Sequence, residues 1–163
     1  MNDLPKRPLD SFDQAILRML QQDNKTSQRV IAEAIGLSTP AVQRRITQLE
    51  ASGVILANTA VIAPEALGQE LTAIVESRLC DDRSLVMDRA KRYFASVPEV
   101  QQCYFVSGGV SFIIVMLARN VAHFEKLVRQ HFADNDDIQT YRTLIVLDKV
   151  KVGLDVAFQA DAG

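Results

Sequence analysis

A row of polar side chains without a single carboxylate lies within residues 38–48, where it could recognise a DNA duplex. At helical spacing, Gln43 and Thr47 share one line of a helix surface, and Arg44 and Gln48 share a second. An amide side chain can pair with adenine, and a guanidinium group can pair with guanine or phosphate. The row therefore has the chemistry of a helix that reads base edges in the major groove.

The residues that precede this row suit the phosphate backbone. Ser38 and Thr39 offer hydroxyl groups, and the N-terminus of a helix adds backbone N–H donors. Together with the start of the preceding helix, the segment predicts a DNA contact set of ten residues: Gln28, Ser38, Thr39, Pro40, Ala41, Gln43, Arg44, Arg45, Thr47 and Gln48. The alternative is the ordinary solvated surface of a three-helix bundle.

Arg45 has two interpretations at this point. It lies between Val42 and Leu49, on the flank of an apolar stripe that we expect to be core. A phosphate contact and a structural ion pair, with Glu50 or Asp13 as the acidic partner, are both open.

Three helices should position this chemistry. Apolar residues recur at helical spacing, and start and stop residues punctuate them. In chain order the punctuation is Asp10 or Ser11, Thr26 or Ser27, Gly36, Ser38-Thr39-Pro40 and Gly53. The short Gly36-Leu37-Ser38 turn predicts a helix-turn-helix at residues 28–47. We expect a flexible lead-in at residues 1–9 and a winged helix-turn-helix domain at residues 10–58.

The rest of the chain changes pattern. Residues 54–63 are β-branched and apolar, which predicts a strand or wing, within a strand and linker at residues 54–66. Strands and helices then follow in the order β-α-β-β-α-β, the ferredoxin-like arrangement. Their expected ranges are 70–79, 84–97, 100–106, 110–117, 121–132 and 139–148, and the tail after Val150 is a candidate further strand. The fold class is therefore α+β, with a ferredoxin-like domain at residues 67–155 for effector binding and oligomerisation.

The third predicted strand is apolar on both faces, which points to a second subunit. Phe112 and Ile114 alternate with Ile113 and Val115. Both helices of such a domain cover one sheet face, so the other face would be an exposed apolar patch in a monomer. We expect a second copy of the chain to cover it. The alternatives are coverage by the N-terminal domain or by the C-terminal tail.

Composition narrows the class of protein. With 48% hydrophobic residues the chain can form a core, and no apolar run reaches the length of a membrane span. Residues 1–58 carry a net charge of +1 and the remainder −3, so DNA affinity must come from local donors and from doubling of the site. Two isolated cysteines suit neither a disulfide framework nor a zinc site. We expect a cytoplasmic protein without a membrane partner, metal or cofactor.

No arrangement in the sequence favours catalysis. Cys103 and His123 are a nucleophile and a base by type, but neither an oxyanion turn nor an orienting partner accompanies them. We expect Cys103 to be a structural residue and the chain not to be an enzyme.

Several strings in the chain resemble the leucine-responsive and asparagine-synthesis regulator (Lrp/AsnC, or feast/famine) family. They are Leu9-Asp10 with Asp13, Ile16-Leu17 and Leu20-Gln21, then Ile31-Ala32-Glu33-Ala34-Ile35-Gly36-Leu37-Ser38, then Val42 with Arg44-Arg45-Ile46, Leu49-Glu50 and Gly53-Val54-Ile55, and later Pro64-Glu65-Ala66-Leu67-Gly68 and Val97-Pro98-Glu99-Val100. The resemblance implies a bacterial transcriptional regulator of amino-acid or related metabolism. It also implies a homodimer that assembles further into an octamer and binds an amino-acid effector.

The effector loop departs from the family pattern. The resemblance places the effector near the turn between the second and third strands, where Gly-Asp-x-Asp is common and a carboxylate suits an ammonium group. This chain has Gly108-Gly109-Val110-Ser111 instead, which a two-residue Gly-Gly hairpin turn would also explain. The expected effector contacts are Ser107, Gly108, Gly109 and Ser111. Two further hypotheses stay open: an architectural DNA binder without an effector, and a small-molecule-binding assembly module whose helix-turn-helix contacts protein.

Overall fold

Three short helices, α1 (Ser11–Gln22), α2 (Gln28–Ile35) and α3 (Thr39–Ala51), form around one small apolar core. The computed structural model describes residues 8–158 and divides into two units, one with residues up to 61 and from 152 onward, the other with residues 62–151. Ile16, Ile31 and Val42 are fully buried in the first unit, one from each helix. The three predicted helices are confirmed. These central positions of their predicted apolar stripes are buried, whereas Phe12, Val30 and Ala34 are exposed. Of the predicted lead-in, residues 1–7 lie outside the described part.

Local side-chain chemistry sets the ends of these helices. Asp10 begins α1 in a capping box, in which the Asp13 N–H donates to Asp10 Oδ1 at 2.8 Å and the Asp10 N–H donates to Asp13 Oδ2 at 3.3 Å. The Ser27 hydroxyl accepts from the N–H of Val30 at the start of α2. Gly36 ends α2 at φ 71°, a left-handed conformation that costs a glycine little.

The strand or wing expected at residues 54–63 is absent from the structure. Residues 56–63 run without a regular element and lead into a 3₁₀ turn at Pro64–Leu67. The physical reason is that β-branched residues favour an extended backbone, but a strand also needs a neighbour to accept its hydrogen bonds. Within residues 8–158, no other segment pairs with this one. Val61 is fully exposed.

The second unit is a four-stranded antiparallel sheet with two helices. Its elements are β1 (Leu71–Leu79), α4 (Ser84–Ser96), β2 (Val100–Phe105), β3 (Phe112–Ala118), α5 (Val121–Val128) and β4 (Ile138–Ile145). The strand order is β2-β3-β1-β4, with every neighbouring pair antiparallel. The predicted ferredoxin-like α+β arrangement is confirmed.

Helices cover only one face of this sheet. Phe112, Ile114 and Met116 of β3 are fully buried and join Phe94 of α4 and Phe132 in one core. The residues that alternate with them point to the other face, as the sequence predicts.

On that outer face apolar side chains form a row across the strands. Val115 pairs with Ile74 of β1, and Ile74 pairs with Leu144 of β4. Leu144 keeps 43% of its surface exposed, and Ile74 and Val115 are half-buried. Leu117 extends the row beside Thr72. We call this row the outer apolar face.

The connection between β2 and β3 is wider than predicted. The N–H of Val106 donates to the carbonyl of Ser111 at 2.9 Å, so four residues rather than two close the turn. Gly108 and Gly109 have φ of 123° and 93°, which side-chain-bearing residues rarely adopt. The prediction of a two-residue Gly-Gly turn is therefore wrong. The positive φ at Gly108 and Gly109 nevertheless explains why both positions are glycine.

The C-terminal tail returns to α1 instead of adding a strand. The side chain of Gln21 donates to the carbonyl of Val156 at 2.9 Å and accepts from its N–H at 3.0 Å. Arg18 lies over the ring of Phe158, 5.1 Å from its centroid. Residues 152–158, the first four of which the sequence pattern assigned to the C-terminal domain, thus group with the helical unit.

A buried histidine follows α5, where the helix continues as a π turn (Arg129–Ala133). Nδ1 of His131 lies 2.8 Å from the hydroxyl of Tyr93 on α4. Burial lowers the pKa of His131, against a smaller opposing effect of Glu99, because charging the ring inside the protein is unfavourable. The unfolded chain therefore binds this proton at a higher pH than the folded chain does.

This proton linkage predicts that the free energy of unfolding falls as the pH drops below the unfolded pKa of about 6.5. We expect His131→Gln to flatten the pH dependence of urea unfolding between about pH 7.5 and 5.5. Tyr93→Phe is the matched control, because it removes the same hydrogen bond but keeps the titrating ring and so keeps the slope. An unchanged slope in His131→Gln would contradict the assignment.

Candidate functional site

Helix α3 presents the predicted polar row to solvent. Gln43, Arg44, Thr47 and Gln48 are all exposed, while Val42 and Leu49 on the opposite side are buried. Within residues 8–158, none of the four exposed side chains makes a hydrogen bond or an ion pair with the protein. Amide, guanidinium and hydroxyl groups are therefore free to meet a partner along two turns of helix.

The start of α3 adds donors suited to an anion. Ser38 is the N-cap residue, yet its hydroxyl makes no capping hydrogen bond and is exposed. Thr39 and Pro40 are exposed as well, and Pro40 has no N–H to leave unsatisfied. A helix N-terminus with two free hydroxyls is a suitable phosphate contact.

Arg45 differs from its neighbour Arg44. Its Nη1 lies 2.8 Å from Asp10 Oδ2 and 2.6 Å from Asp13 Oδ1, and its side chain is only 19% exposed. Asp10, and then Asp13, raise the pKa of the guanidinium through these hydrogen bonds. Arg45 therefore joins α3 to the start of α1 through Nη1, which favours the structural ion pair over the phosphate contact, and its place among the DNA contacts stays a prediction. Of the two acidic partners that the sequence offered, Asp13 is present and Glu50 is not; Glu50 accepts from Asn58.

The remaining predicted DNA contacts divide by exposure. Gln28, the first residue of α2, and Ala41, in the first turn of α3, are half-buried. The other seven are exposed and belong to one stretch of α3 and its cap.

The loop between β2 and β3 brings together the predicted effector contacts. Ser107, Gly108 and Gly109 are exposed at its tip. Ser111 is fixed instead: its N–H donates to the carbonyl of Ser77 at 2.8 Å, and its Oγ accepts from the N–H of Leu79 at 3.0 Å. The side chain of Ser111 thus fastens the loop to β1, and its hydroxyl hydrogen stays available to a ligand.

Two charged residues that the sequence analysis missed lie beside this loop. Arg78, near the end of β1, and Asp82, in the segment after it, line one cavity together with residues 105–111. Both side chains are exposed. Arg78 and Asp82 precede the loop by about 30 residues, so the sequence alone does not show that they are close to it. The pairing of β1 with β3 brings them next to the loop.

Comparison with known proteins identifies the family. The model of the Lrp/AsnC ligand binding domain matches residues 72–155, and that of a winged helix-turn-helix DNA-binding domain matches residues 9–55. An uncharacterized HTH-type transcriptional regulator of Sinorhizobium fredii is 34% identical over 93% of this chain and 89% of its own length. The leucine-responsive regulatory protein of Rhizobium meliloti is 32% identical over 88% of this chain and 92% of its own. The chain belongs to the Lrp/AsnC family.

A solved structure agrees in fold with this Lrp/AsnC chain. The complex of a Neisseria meningitidis transcriptional regulator with L-Met has a TM-score of 0.85 and covers 92% of this chain and 97% of that one, at 21% identity. With the family established, the protein is a DNA-binding transcriptional regulator with a ligand-binding domain, and not an enzyme.

The enzyme-type residues agree with this Lrp/AsnC assignment. Burial raises the pKa of the Cys103 thiol, which disfavours the reactive thiolate. His123 accepts from the N–H of Arg119 at the start of α5. Among residues 8–158, no three His, Cys, Asp or Glu side chains are grouped as metal ligands, and no helix is long and apolar enough to span a membrane.

Replacement of the two adjacent arginines should affect stability to very different extents. Arg45→Ala leaves the 1%-exposed Asp13 without its guanidinium, and we expect α1 and α3 to lose about 2–3 kcal/mol of opening free energy. Arg44→Ala, the matched control with the same charge change, should alter it by less than about 0.5 kcal/mol. Amide hydrogen exchange of these helices, read by mass spectrometry, measures both. Equal protection in the two variants would remove Arg45 from its structural role.

Proposed function

We propose that this regulator binds a specific DNA sequence through α3, with Gln43 and Arg44 at base edges and Ser38 and Thr39 at phosphates. The observation that supports it is the exposed row on α3, free of carboxylates and of contacts with the protein, next to an arginine that fixes the helix from its other side. A helix with this layout can enter the major groove N-terminus first. Thr47 and Gln48 continue the contact, and Gln28 and Ala41 flank it.

The regulator acts as a homodimer in this proposal. The outer apolar face is the surface that a second copy would cover. In the single chain Leu144 keeps 43% of its surface exposed, and the apolar side chains of Ile74, Val115 and Leu117 lie in the same row. A two-fold dimer presents two recognition helices to two half-sites, which compensates for a net charge of only +1 on residues 1–58. Assembly of dimers into an octamer is the larger form that we expect.

The effector in this proposal is an amino acid, bound at the loop formed by Ser107, Gly108, Gly109 and Ser111. Support comes from the ligand-binding-domain match, from the leucine-responsive relative and from the L-Met complex of the Neisseria regulator. Genes of amino-acid or related metabolism, in the cytoplasm, are the corresponding targets. An architectural DNA binder without an effector is the second candidate, favoured by the absence of carboxylates from the loop itself.

Removal of the guanidinium of Arg44 should weaken sequence-specific DNA binding. Arg44→Ala is expected to cost about 1–3 kcal/mol on a site enriched from random DNA with the wild-type protein, and to relax selectivity at one base pair. Fluorescence anisotropy at several salt concentrations measures both affinity and its salt dependence. The control is Arg92→Ala, an exposed position of the C-terminal unit with the same charge change. If Arg44→Ala binds like the control, Arg44 is not a base contact.

A charge on the outer apolar face should break the dimer. In Val115→Glu, the new carboxylate would lose its hydration if a second subunit covered this face. In a single chain the carboxylate can stay in contact with solvent. Light scattering after size exclusion should then report a mass near 18.1 kDa for this variant and a multiple of it for the wild type.

Gln130→Glu, which adds the same charge to an exposed position on the helix side, is the matched control and should keep the wild-type mass. A Val115→Glu protein of unchanged mass would place the interface elsewhere, and a wild-type protein of single-chain mass would contradict the homodimer itself.

A further inference from the structure

A cavity of about 220 Å³ lies where the β2–β3 loop passes the end of β1. Its lining combines one cation, Arg78, one anion, Asp82, the hydroxyls of Ser107 and Ser111, and the backbone of the two glycines. The volume is below the range of about 300–1,000 Å³ typical of drug-sized ligands, so it suits a small metabolite.

The charges of Arg78 and Asp82 have no partner in the described part of the chain, unlike the neighbouring charges of Glu76 and Asp81. Glu76, on the same face of β1, pairs with Arg142 at 2.6 Å. Asp81 pairs with Arg83, whose backbone N–H and side chain lower the pKa of that carboxyl. Within residues 8–158, neither Arg78 nor Asp82 makes an ion pair or a side-chain hydrogen bond, with each other or with any other residue. Two opposite charges therefore line one cavity without neutralising one another.

The backbone around Arg78 is specially arranged. The register of β1 against β4 shifts between Arg78 and Leu79, an irregularity of the kind that redirects side chains near binding sites. Ser111 holds the loop against this point through the N–H of Leu79. The backbone around Arg78 and the loop are thus held together by two hydrogen bonds, one from the Leu79 N–H to Ser111 Oγ and one from the Ser111 N–H to the carbonyl of Ser77.

We propose that Arg78 and Asp82 recognise the two charges of a free amino acid, with the guanidinium on its α-carboxylate and the Asp82 carboxylate on its α-ammonium. A guanidinium suits a carboxylate because it can donate two parallel hydrogen bonds. Asp82 supplies the acid that the loop lacks, from a different segment of the chain. This inference rests on the proposed amino-acid effector and names the residues that select it.

Restoring an acid within the loop would be less suitable. Gly109 has φ 93°, so an aspartate there would be strained, and Ser111 already uses its side chain to accept from Leu79. A larger hollow of about 460 Å³ near α4 offers no comparable pair, because its Arg89 is already bound to Asp137. Of these two cavities, the one at Arg78 is therefore the better site for a zwitterion.

The test is isothermal titration calorimetry of the full-length protein with each of the twenty standard L-amino acids. The tightest ligand is then compared with its deaminated acid and its decarboxylated amine. Wild type should prefer the amino acid to both analogues. Asp82→Asn should weaken the amino acid at least tenfold but leave the deaminated acid unchanged, as expected for loss of one charge-assisted hydrogen bond. Arg78→Gln should weaken the amino acid while leaving the amine unchanged.

Asp81→Asn is the matched control, since it removes a neighbouring carboxylate that already pairs with Arg83; it should bind like wild type. If an amino acid binds and neither Asp82→Asn nor Arg78→Gln changes its affinity, the inference is overturned and the amino-acid effector stands. If no amino acid binds the wild type, both are overturned. An equal loss in all three variants would indicate a general charge effect and would also overturn the inference.

Discussion

The ion pair between Arg45 and the two carboxylates of α1 determines what the rest of α3 is free to do. Successive residues on a helix are turned by about 100°. With Val42 and Leu49 in the core and Arg45 held by Asp10 and Asp13, the helix cannot rotate about its axis without exposing apolar surface or stranding a buried charge. Arg44 must then point away from the protein. An invariant orientation of this kind is what base recognition requires, because hydrogen bonds to base edges tolerate little displacement.

Asp13 has two roles in this arrangement. One oxygen completes the capping box at the start of α1, and the other accepts from Arg45. The residue is almost fully buried, so its charge needs both partners. Helix start and helix–helix contact therefore depend on the same side chain, which adds to a small core of five buried residues and the partly buried ones, such as Leu17 and Ile46, that pack against it.

Sequence reasoning succeeded where the determining interactions are local. Caps such as Asp10, Ser27 and Gly36 act within one turn of helix, and alternation in β3 follows from the pleat, so both can be read from neighbouring residues. It failed at residues 54–63, because strand formation depends on a distant hydrogen-bonding partner that the composition of the segment does not reveal. The prediction of a further strand in the C-terminal tail failed for the same reason, because the tail contacts Gln21, which is 135 residues away in the sequence.

The two sites differ in the same way. The α3 row was predictable, since all its members lie within eleven consecutive residues and the helix period alone sorts them. Only the choice between the two interpretations of Arg45 needed the structure. The loop near Ser111 was found through resemblance, but the charges beside it were not, because β1 and the loop meet only through sheet register. The pairing of distant strands brings Arg78 close to Gly108 and Gly109, and no local sequence pattern predicts that proximity.

Strand β1 links the two proposed functions of the C-terminal unit. Ile74, Glu76 and Arg78 lie on the same face of β1, because side chains two residues apart in a strand point the same way. Arg78, which would bind the effector, therefore lies in one row with Ile74 of the outer apolar face. A ligand held by Arg78 would act near the end of β1, next to the stretch 73–77 that pairs with both β3 and β4, and a packed strand can transmit a displacement along its length. Effector binding at the loop and subunit contact at Ile74 would then be coupled through one element. By linkage, a ligand that favours one subunit arrangement must bind that arrangement more tightly.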